Sequence, residues 1–206
     1  MKVKICGITV LDDALCAVAA GADALGFVFW GPSPRCVEPD AIRLLGKIIS
    51  PFVLKVGVFV DFSSDAIGKI VDRARLDAAQ LHGDETPETC AAVGRFCRVF
   101  KAFRMRDESI LGLMKNYDAD AFLLDGYLRD KPGGTGQTFD WQLVARAKQL
   151  GRPIILSGGL TPRNARECIQ TTQPDAVDVS SGVESTPGKK DHDKIRAFLE
   201  AAKGGH

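Results

Sequence analysis

The sequence predicts an α/β protein, a single (β/α)8 barrel of the TIM-barrel type that spans residues 1–206. Short runs of β-forming residues alternate with longer segments of helical period, which indicates parallel strands joined by crossover helices. Runs such as Ala121–Leu124 and Ile154–Leu156 are apolar throughout, as in a sheet covered on both faces. An open doubly wound sheet is the alternative. The strand count and the chain length favour the closed barrel, and no linker divides the chain.

The elements follow from the local pattern in chain order. The predicted strands cover Lys2–Ile5, Asp23–Phe29, Val53–Val60, Asp77–Leu81, Val99–Phe103, Asp120–Leu124, Pro153–Leu156 and Ala176–Val179. The helical periodicity between them predicts helices at Asp12–Ala20, Pro39–Ile49, Ser63–Ala74, Pro87–Val93, Glu108–Lys115, Asp140–Leu150, Pro162–Thr171 and His192–Ala202.

Several of these helices carry start and stop signals. Side chains that can cap an N-terminus are Asp12, Ser63, Thr86 and Thr161. Prolines suited to a first helical turn are Pro87 and Pro162. Glycines stand where three helices should end, at Gly21, Gly94 and Gly151.

The composition is that of an ordinary soluble protein. With 27 basic and 26 acidic residues the formal net charge is +1, and no basic cluster favours a nucleic-acid partner. The N-terminal residues lack the apolar run of a secretory signal, and the stretch Ile48–Val60 is too interrupted to span a bilayer. We therefore expect a cytoplasmic protein without nucleic-acid or membrane partners.

The cysteines and histidines are scattered along the chain. No two of the six cysteines have Cys-x-x-Cys spacing, so we expect reduced thiols rather than a disulfide framework. The three histidines lie far apart, and none has a recognised metal-ligand spacing. The sequence predicts no metal site.

Active sites of this fold lie at the carboxyl ends of the strands, so polar residues there are the candidates. Glycine and serine follow the seventh and eighth strands, where their backbone N–H groups can approach an anion and where barrels often bind phosphate. Ordinary turns use the same residue types. Their occurrence in both loops favours a phosphate site formed by Gly158, Gly159, Ser180, Ser181 and Gly182, and Asp178 near the end of the eighth strand is a further candidate for substrate binding.

Two further strand ends carry groups suited to acid–base chemistry. Cys6 follows the first strand, and a thiol needs only a small pKa shift to act as a base near neutral pH. Asp125 ends the sixth strand and can give or take a proton. Alone, either residue is open to a structural interpretation, as a packed thiol or a loop-capping carboxylate. Their placement at well-separated strands of one barrel mouth favours an acid–base pair.

Arg35 and His82 are candidates for substrate binding. Arg35 lies in a loop between prolines, and its guanidinium can bind a carboxylate bidentately or remain a solvated surface group. His82 follows the fourth strand and can bond a ligand or satisfy the strand end. The glycine-rich loop Gly126–Thr138 is long enough to be a functional lid or a flexible surface loop.

A set of segments distributed over nearly the whole chain carries a recognisable pattern. These segments are Lys4–Thr9, Ser33–Arg35, Val56–Val60, Gln80–Gly83, Leu124–Asp125, Gly133–Gly136 with Phe139–Trp141, Gly158–Leu160 with Asn164, and Asp178–Glu184 with Pro187–Asp191. Together they resemble the phosphoribosylanthranilate isomerase family, and the first and last are highly specific. Two small departures are Ser157, where that family commonly has alanine, and Asp61, where it more often has asparagine.

The resemblance implies an aldose–ketose isomerase of tryptophan biosynthesis. Such an enzyme converts N-(5-phosphoribosyl)anthranilate to 1-(2-carboxyphenylamino)-1-deoxyribulose 5-phosphate by an Amadori rearrangement. By the same resemblance Cys6 is the general base, Asp125 is the general acid and Arg35 holds the anthranilate carboxylate. No metal or organic cofactor is implied, because the imine formed in the reaction is itself the electron sink.

Three alternatives stay open. A barrel isomerase of histidine biosynthesis performs the same rearrangement with aspartate in place of Cys6. A metal-dependent epimerase would need several histidines converging with acids, and His82 is the one histidine at a predicted strand end. A non-catalytic sensor of phosphorylated ligands would keep the phosphate loops without needing Cys6 or Asp125. In each case the protein can be a monomer or a homodimer.

Overall fold

Eight parallel strands close into a barrel in the computed structural model, which describes residues 1–105, 107–126 and 141–204. The strands are β1 Lys2–Cys6, β2 Ala24–Val28, β3 Leu54–Phe59, β4 Ala78–Leu81, β5 Arg98–Arg104, β6 Ala121–Asp125, β7 Ile154–Ser157 and β8 Ala176–Val179. The helices are α1 Leu11–Ala19, α2 Pro39–Leu45, α3 Ser64–Ala74, α4 Pro87–Val93, α5 Ser109–Met114, α6 Trp141–Lys148, α7 Ala165–Thr172 and α8 His192–Lys203.

The barrel closes because β1 pairs with both β2 and β8. In this register Cys6 lies opposite Gly26 on one side, and Lys4 lies opposite Asp178 on the other. The predicted closed barrel is therefore confirmed, and the open sheet is excluded. After β8 a 3-10 turn leads into a short antiparallel hairpin, β9 Glu184–Thr186 and β10 Lys189–Lys190, which the sequence did not predict.

The core lies in two regions, because strand side chains alternate between the barrel interior and the helix layer. The larger region packs strands against helices around aromatic side chains such as Phe27, Phe59 and Phe122. Two smaller clusters contain strand residues alone and fill the barrel interior. Polar side chains are also buried in the strands: Lys4, Gln80 and Asp178 are each less than 5% exposed. The interior is therefore apolar only in part.

The boundaries differ from the prediction where local capping competes with helical period. Ser63 and Thr86 cap α3 and α4 as predicted, each accepting a backbone N–H through its side chain. Asp12 was wrongly predicted as a cap, because α1 begins at Leu11 and Asp12 lies in its first turn. The prediction that Thr161 caps the seventh helix was also wrong. The N–H of Thr161 donates to the side chain of Asn164 at 2.7 Å, which forms a turn before α7 begins.

The helix predicted to reach Ile49 is shorter, because α2 ends at Leu45 with Gly46 as its C-cap. The chain continues from there in tighter turns, in which Lys47 and Ile48 donate to carbonyls three residues back. Of the predicted loop Gly126–Thr138, Gly126 is described and residues 127–138 lie outside the described residues. Among the helices the structure describes, none is both long and apolar enough to cross a membrane.

Candidate active site

A pocket of about 370 Å³ opens at the carboxyl ends of the barrel strands. All ten residues that the sequence marked as candidates line it: Cys6, Arg35, His82, Asp125, Gly158, Gly159, Asp178, Ser180, Ser181 and Gly182. A larger cavity of about 440 Å³ shares His82 and Arg104 with this pocket but contains neither Cys6 nor Asp125. The first pocket is therefore the candidate active site.

Cys6 ends β1 on the inner face of the barrel and is 7% exposed. Two residues earlier on the same face, the buried Lys4 ammonium lies 2.9 Å from Oδ1 of Asp178. The other oxygen of Asp178 accepts a hydrogen bond from the Ser157 hydroxyl at 3.2 Å. Burial raises the pKa of the Cys6 thiol above its ordinary value, and the charge of Lys4 opposes this rise.

Asp125 ends β6, and about a third of its side chain is exposed to the pocket. Its Oδ2 atom lies 3.3 Å from Nε2 of His82, and Nδ1 of His82 lies 2.7 Å from the amide nitrogen of Gln80. An amide nitrogen can only donate, so this arrangement makes Nδ1 an acceptor and leaves the proton on Nε2, facing Asp125. In the described part of the chain, the amide oxygen of Gln80 is the one buried side-chain nitrogen or oxygen atom without a hydrogen-bond partner.

Gly158 in the loop after β7 and Gly182 in the loop after β8 have no room for a side chain. Gly158 has φ +89°, a left-handed conformation that favours glycine, and an added Cβ would collide with the carbonyl of Gly126. An added Cβ at Gly182 would collide with the carbonyl of Leu160. Both glycines also line the pocket, and backbone N–H groups in such turns suit an anion such as phosphate.

Arg35 is held by a carboxylate of the protein. Its Nε and Nη2 atoms donate to the two oxygens of Glu184 at 2.7 and 2.6 Å. Glu184 also accepts from Lys190 at 2.8 Å, and Lys190 donates to the carbonyl of Ser180 at 3.1 Å. Burial would raise the pKa of Glu184, but its bonds to the two cations lower it below the ordinary value. Glu184 thus orients Arg35 through Nε and Nη2, and this pairing leaves Nη1 for another acceptor.

Four of these polar residues were missed as site residues by the sequence reasoning. Lys4 and Gln80 lie two positions before Cys6 and His82, and the two-residue period of a strand could have placed them on the same inner face. Glu184 and Lys190 belong to the unpredicted hairpin, and no periodicity relates them to the pocket. In the ranges that the structure describes, no three His, Cys, Asp or Glu side chains are grouped to hold a metal ion.

These features define the class of the protein: a (β/α)8-barrel enzyme whose pocket joins a buried thiol, a carboxylate and glycine-lined loops suited to an anion. The family model for N-(5'-phosphoribosyl)anthranilate isomerase matches residues 3–201. The chain belongs to this family, and the resemblance predicted from the sequence is confirmed.

Individual relatives agree over the full length. The N-(5'-phosphoribosyl)anthranilate isomerase of Geobacter sulfurreducens is 52% identical over 204 residues, which covers 99% of each chain. A phosphoribosylanthranilate isomerase solved in complex with reduced 1-(o-carboxyphenylamino)-1-deoxyribulose 5-phosphate is 43% identical, with a TM-score of 0.90 over 99% of both chains. A solved structure of monomers derived from the dimeric enzyme of Thermotoga maritima is 41% identical, with a TM-score of 0.88 over 99% of both chains.

Proposed function

We propose that this protein converts N-(5'-phosphoribosyl)anthranilate to 1-(2-carboxyphenylamino)-1-deoxyribulose 5-phosphate in tryptophan biosynthesis. The observation that carries this proposal is the placement of Cys6 and Asp125 in one pocket with two glycine-lined loops. An Amadori rearrangement needs an acid and a base on one phosphorylated sugar, and this pocket offers both. The product analogue bound to a relative that is 43% identical supports the same substrate class.

Asp125 acts as the general acid in the first step. Its proton goes to the furanose ring oxygen, the bond from that oxygen to the first sugar carbon breaks, and the nitrogen lone pair forms a protonated imine. Asp125 is left as a carboxylate, which the Nε2–H of His82 then stabilises across 3.3 Å. We therefore assign His82 a role through Asp125 as well as in the lining of the substrate pocket.

Cys6 acts as the general base in the second step. Its thiolate removes the proton from the second sugar carbon, the C–H electrons form a carbon–carbon double bond, and the imine electrons return to nitrogen. The enolamine becomes the ketone when the first carbon gains a proton and the hydroxyl of the second carbon loses one. The enzyme is restored when Cys6 supplies the former and Asp125 receives the latter, so the reaction consumes no net proton.

The remaining pocket residues bind the two anionic ends of the substrate. Gly158, Gly159 and the Ser180–Gly182 turn hold the phosphate through backbone N–H groups. Asp178 lines the pocket beside them and is tied to Lys4. Arg35, oriented by Glu184, holds the anthranilate carboxylate through the part of its guanidinium outside that ion pair.

We propose that the chain works as a single domain, in the cytoplasm, as a monomer or a homodimer. All six cysteines are free, which suits a reducing compartment. The dimeric enzyme of T. maritima, 41% identical, supports testing for a homodimer. The net charge of +1 offers no support for a nucleic-acid partner.

The test follows the fluorescence of the anthranilate substrate as it is consumed. Cys6→Ser and Asp125→Asn should each lower kcat by about 100- to 10,000-fold, the range expected for loss of a general acid or base. Binding of the reduced product analogue, measured by calorimetry, should change little in either variant. Cys36→Ser, which removes an exposed thiol, is the matched control. Unchanged turnover in either pocket variant refutes the role assigned to that residue.

A further inference from the structure

Lys4 is an almost completely buried lysine for which the reaction described above has no use. Its side chain is 4% exposed, and its ammonium is paired with Asp178, whose side chain is 5% exposed. A buried ion pair of this kind adds little to stability, because desolvation of two charges offsets most of their attraction. Apolar side chains of similar size would serve the fold at least as well, so the charges call for another explanation.

The ammonium of Lys4 lies beside the sulfur of Cys6, in space that Gly26 leaves open on the neighbouring strand. A Cβ added at Gly26 would lie 2.7 Å from Sγ of Cys6 and 3.0 Å from Nζ of Lys4. Both atoms therefore border the same point, and no side chain from β2 separates them. The pairing of Cys6 with Gly26 across β1 and β2 fixes this arrangement in the backbone.

Other charges also face Cys6, but they are arranged differently. Asp178 reaches it from β8, Lys190 from the β9–β10 hairpin, and Arg35 from the loop after β2. Lys190 and Arg35 share the carboxylate of Glu184. Burial raises the pKa of the Cys6 thiol most, and Lys4 is the strongest of the groups that oppose this rise.

We propose that Lys4 is a positioning residue whose ammonium, held by Asp178, stabilises the thiolate of Cys6 in the pocket. Ser157 stands where the family commonly has alanine. Its hydroxyl donates to Asp178 at 3.2 Å, so it is the third residue of the hydrogen-bonded group that contains Lys4 and Asp178. The proposal rests on the proposed function only in that Cys6 must lose its proton to act as the base.

The test is the rate at which iodoacetamide alkylates Cys6 in the folded protein as a function of pH, resolved by mass spectrometry of the Cys6 peptide. In Lys4→Met the midpoint of this titration should rise by about 1 to 3 pH units, the shift expected for loss of a nearby opposite charge. The exposed Cys36 in the same digest is the internal reference, and its rate of alkylation should not differ between the two proteins. A Cys6 midpoint equal to that of the wild type overturns the proposal.

A second variant covers the case in which Lys4→Met leaves Asp178 unpaired and the protein unfolds. Lys4→Met/Asp178→Asn removes both charges, and its Cys6 midpoint should lie above the wild type, since Lys4 acts on Cys6 more strongly than Asp178 does. A midpoint at or below that of the wild type overturns the proposal.

The pH profile of kcat/KM provides a further readout that a purely structural role would not move. Because the thiolate predominates only above the pKa of Cys6, the rising limb of the profile should move to higher pH in Lys4→Met. In Lys4→Arg, which keeps the charge, the limb should return toward the wild type. The alkylation measurement needs no substrate, so failure of the proposed reaction and failure of this inference are distinguishable.

Discussion

Replacing Glu184 by glutamine tests the ion cluster that holds Arg35 at the pocket. The Glu184 side chain is 5% exposed and accepts three hydrogen bonds from two cations. Glutamine keeps the shape but removes the charge, and its amide nitrogen then faces a cation. Lys190 is fully buried and loses its counter-charge, whereas Arg35, at 22% exposed, regains some water.

The expected cost comes from the buried charge that is left without a partner. Breaking a buried pair costs about 3 to 5 kcal/mol, and the partial exposure of Arg35 favours about 3 kcal/mol here. For a chain of this length about 1 kcal/mol corresponds to roughly 2 to 4 °C in Tm, so Glu184→Gln should lower Tm by about 6 to 12 °C at pH 7. The matched control is Glu200→Gln, at an exposed position of α8, which should change Tm by less than about 2 °C.

The pH dependence of this difference has a defined sign. Burial would raise the pKa of Glu184, but Arg35 and Lys190 lower it below its ordinary value of 4.5. A depressed carboxyl pKa stabilises the folded state above the unfolded value, and the contribution is lost as the pH falls through the folded value. Scanning calorimetry from pH 7 downward should therefore show a constant gap to about pH 5 that narrows below pH 4.5. A Tm within 2 °C of the Glu200→Gln control at pH 7 would refute the reasoning.

Two further predictions address the phosphate loop and the backbone. Gly158→Ala places a methyl group against a backbone carbonyl at a residue whose φ is +89°. The variant should therefore have a lower Tm and, in steady-state assays, a KM for the phosphorylated substrate that is at least tenfold higher. An unchanged KM would show that Gly158 is not part of the phosphate site. Asp61→Asn should raise the free energy of unfolding by a few tenths of a kcal/mol in urea titrations. Asp61 has φ +58°, a backbone conformation that asparagine tolerates well, and its N–H donates to the carboxylate of Glu85. A lower free energy of unfolding would contradict this prediction.

The fold could be predicted from the sequence because its strands are short, apolar and regularly spaced. All eight strands lie within about one residue of their predicted ends, since burial on both faces of a parallel sheet requires nearly continuous apolar runs. Helix ends were harder, because capping is decided by side-chain competition. The side chain of Asn164 accepts a hydrogen bond from the N–H of Thr161. Because of this turn α7 begins later in the chain than the helical period predicts.

The residues of the candidate site could be predicted only where they lie at the end of a predicted strand. Cys6, His82 and Asp125 each follow or end an apolar run, so their position at the barrel mouth follows from the strand assignment. The partner that orients Arg35 could not be found this way. Glu184 lies 149 residues away along the chain, and only the folded hairpin brings the two charges together.

The Lys4–Asp178 pair has a consequence for how the enzyme is made. Its members are 174 residues apart, and the hydrogen bond from the backbone N–H of Lys190 to the carboxylate of Asp13 joins residues 177 apart. At a synthesis rate of about 5 to 20 residues per second, Lys4 spends roughly 9 to 35 seconds on the ribosome before its counter-ion exists. Burial of β1 during that time would leave the Lys4 ammonium without its counter-ion, which is unfavourable. The ion pair beside Cys6 therefore forms only after the eighth strand has been synthesised, so the pocket is completed late in the making of the chain.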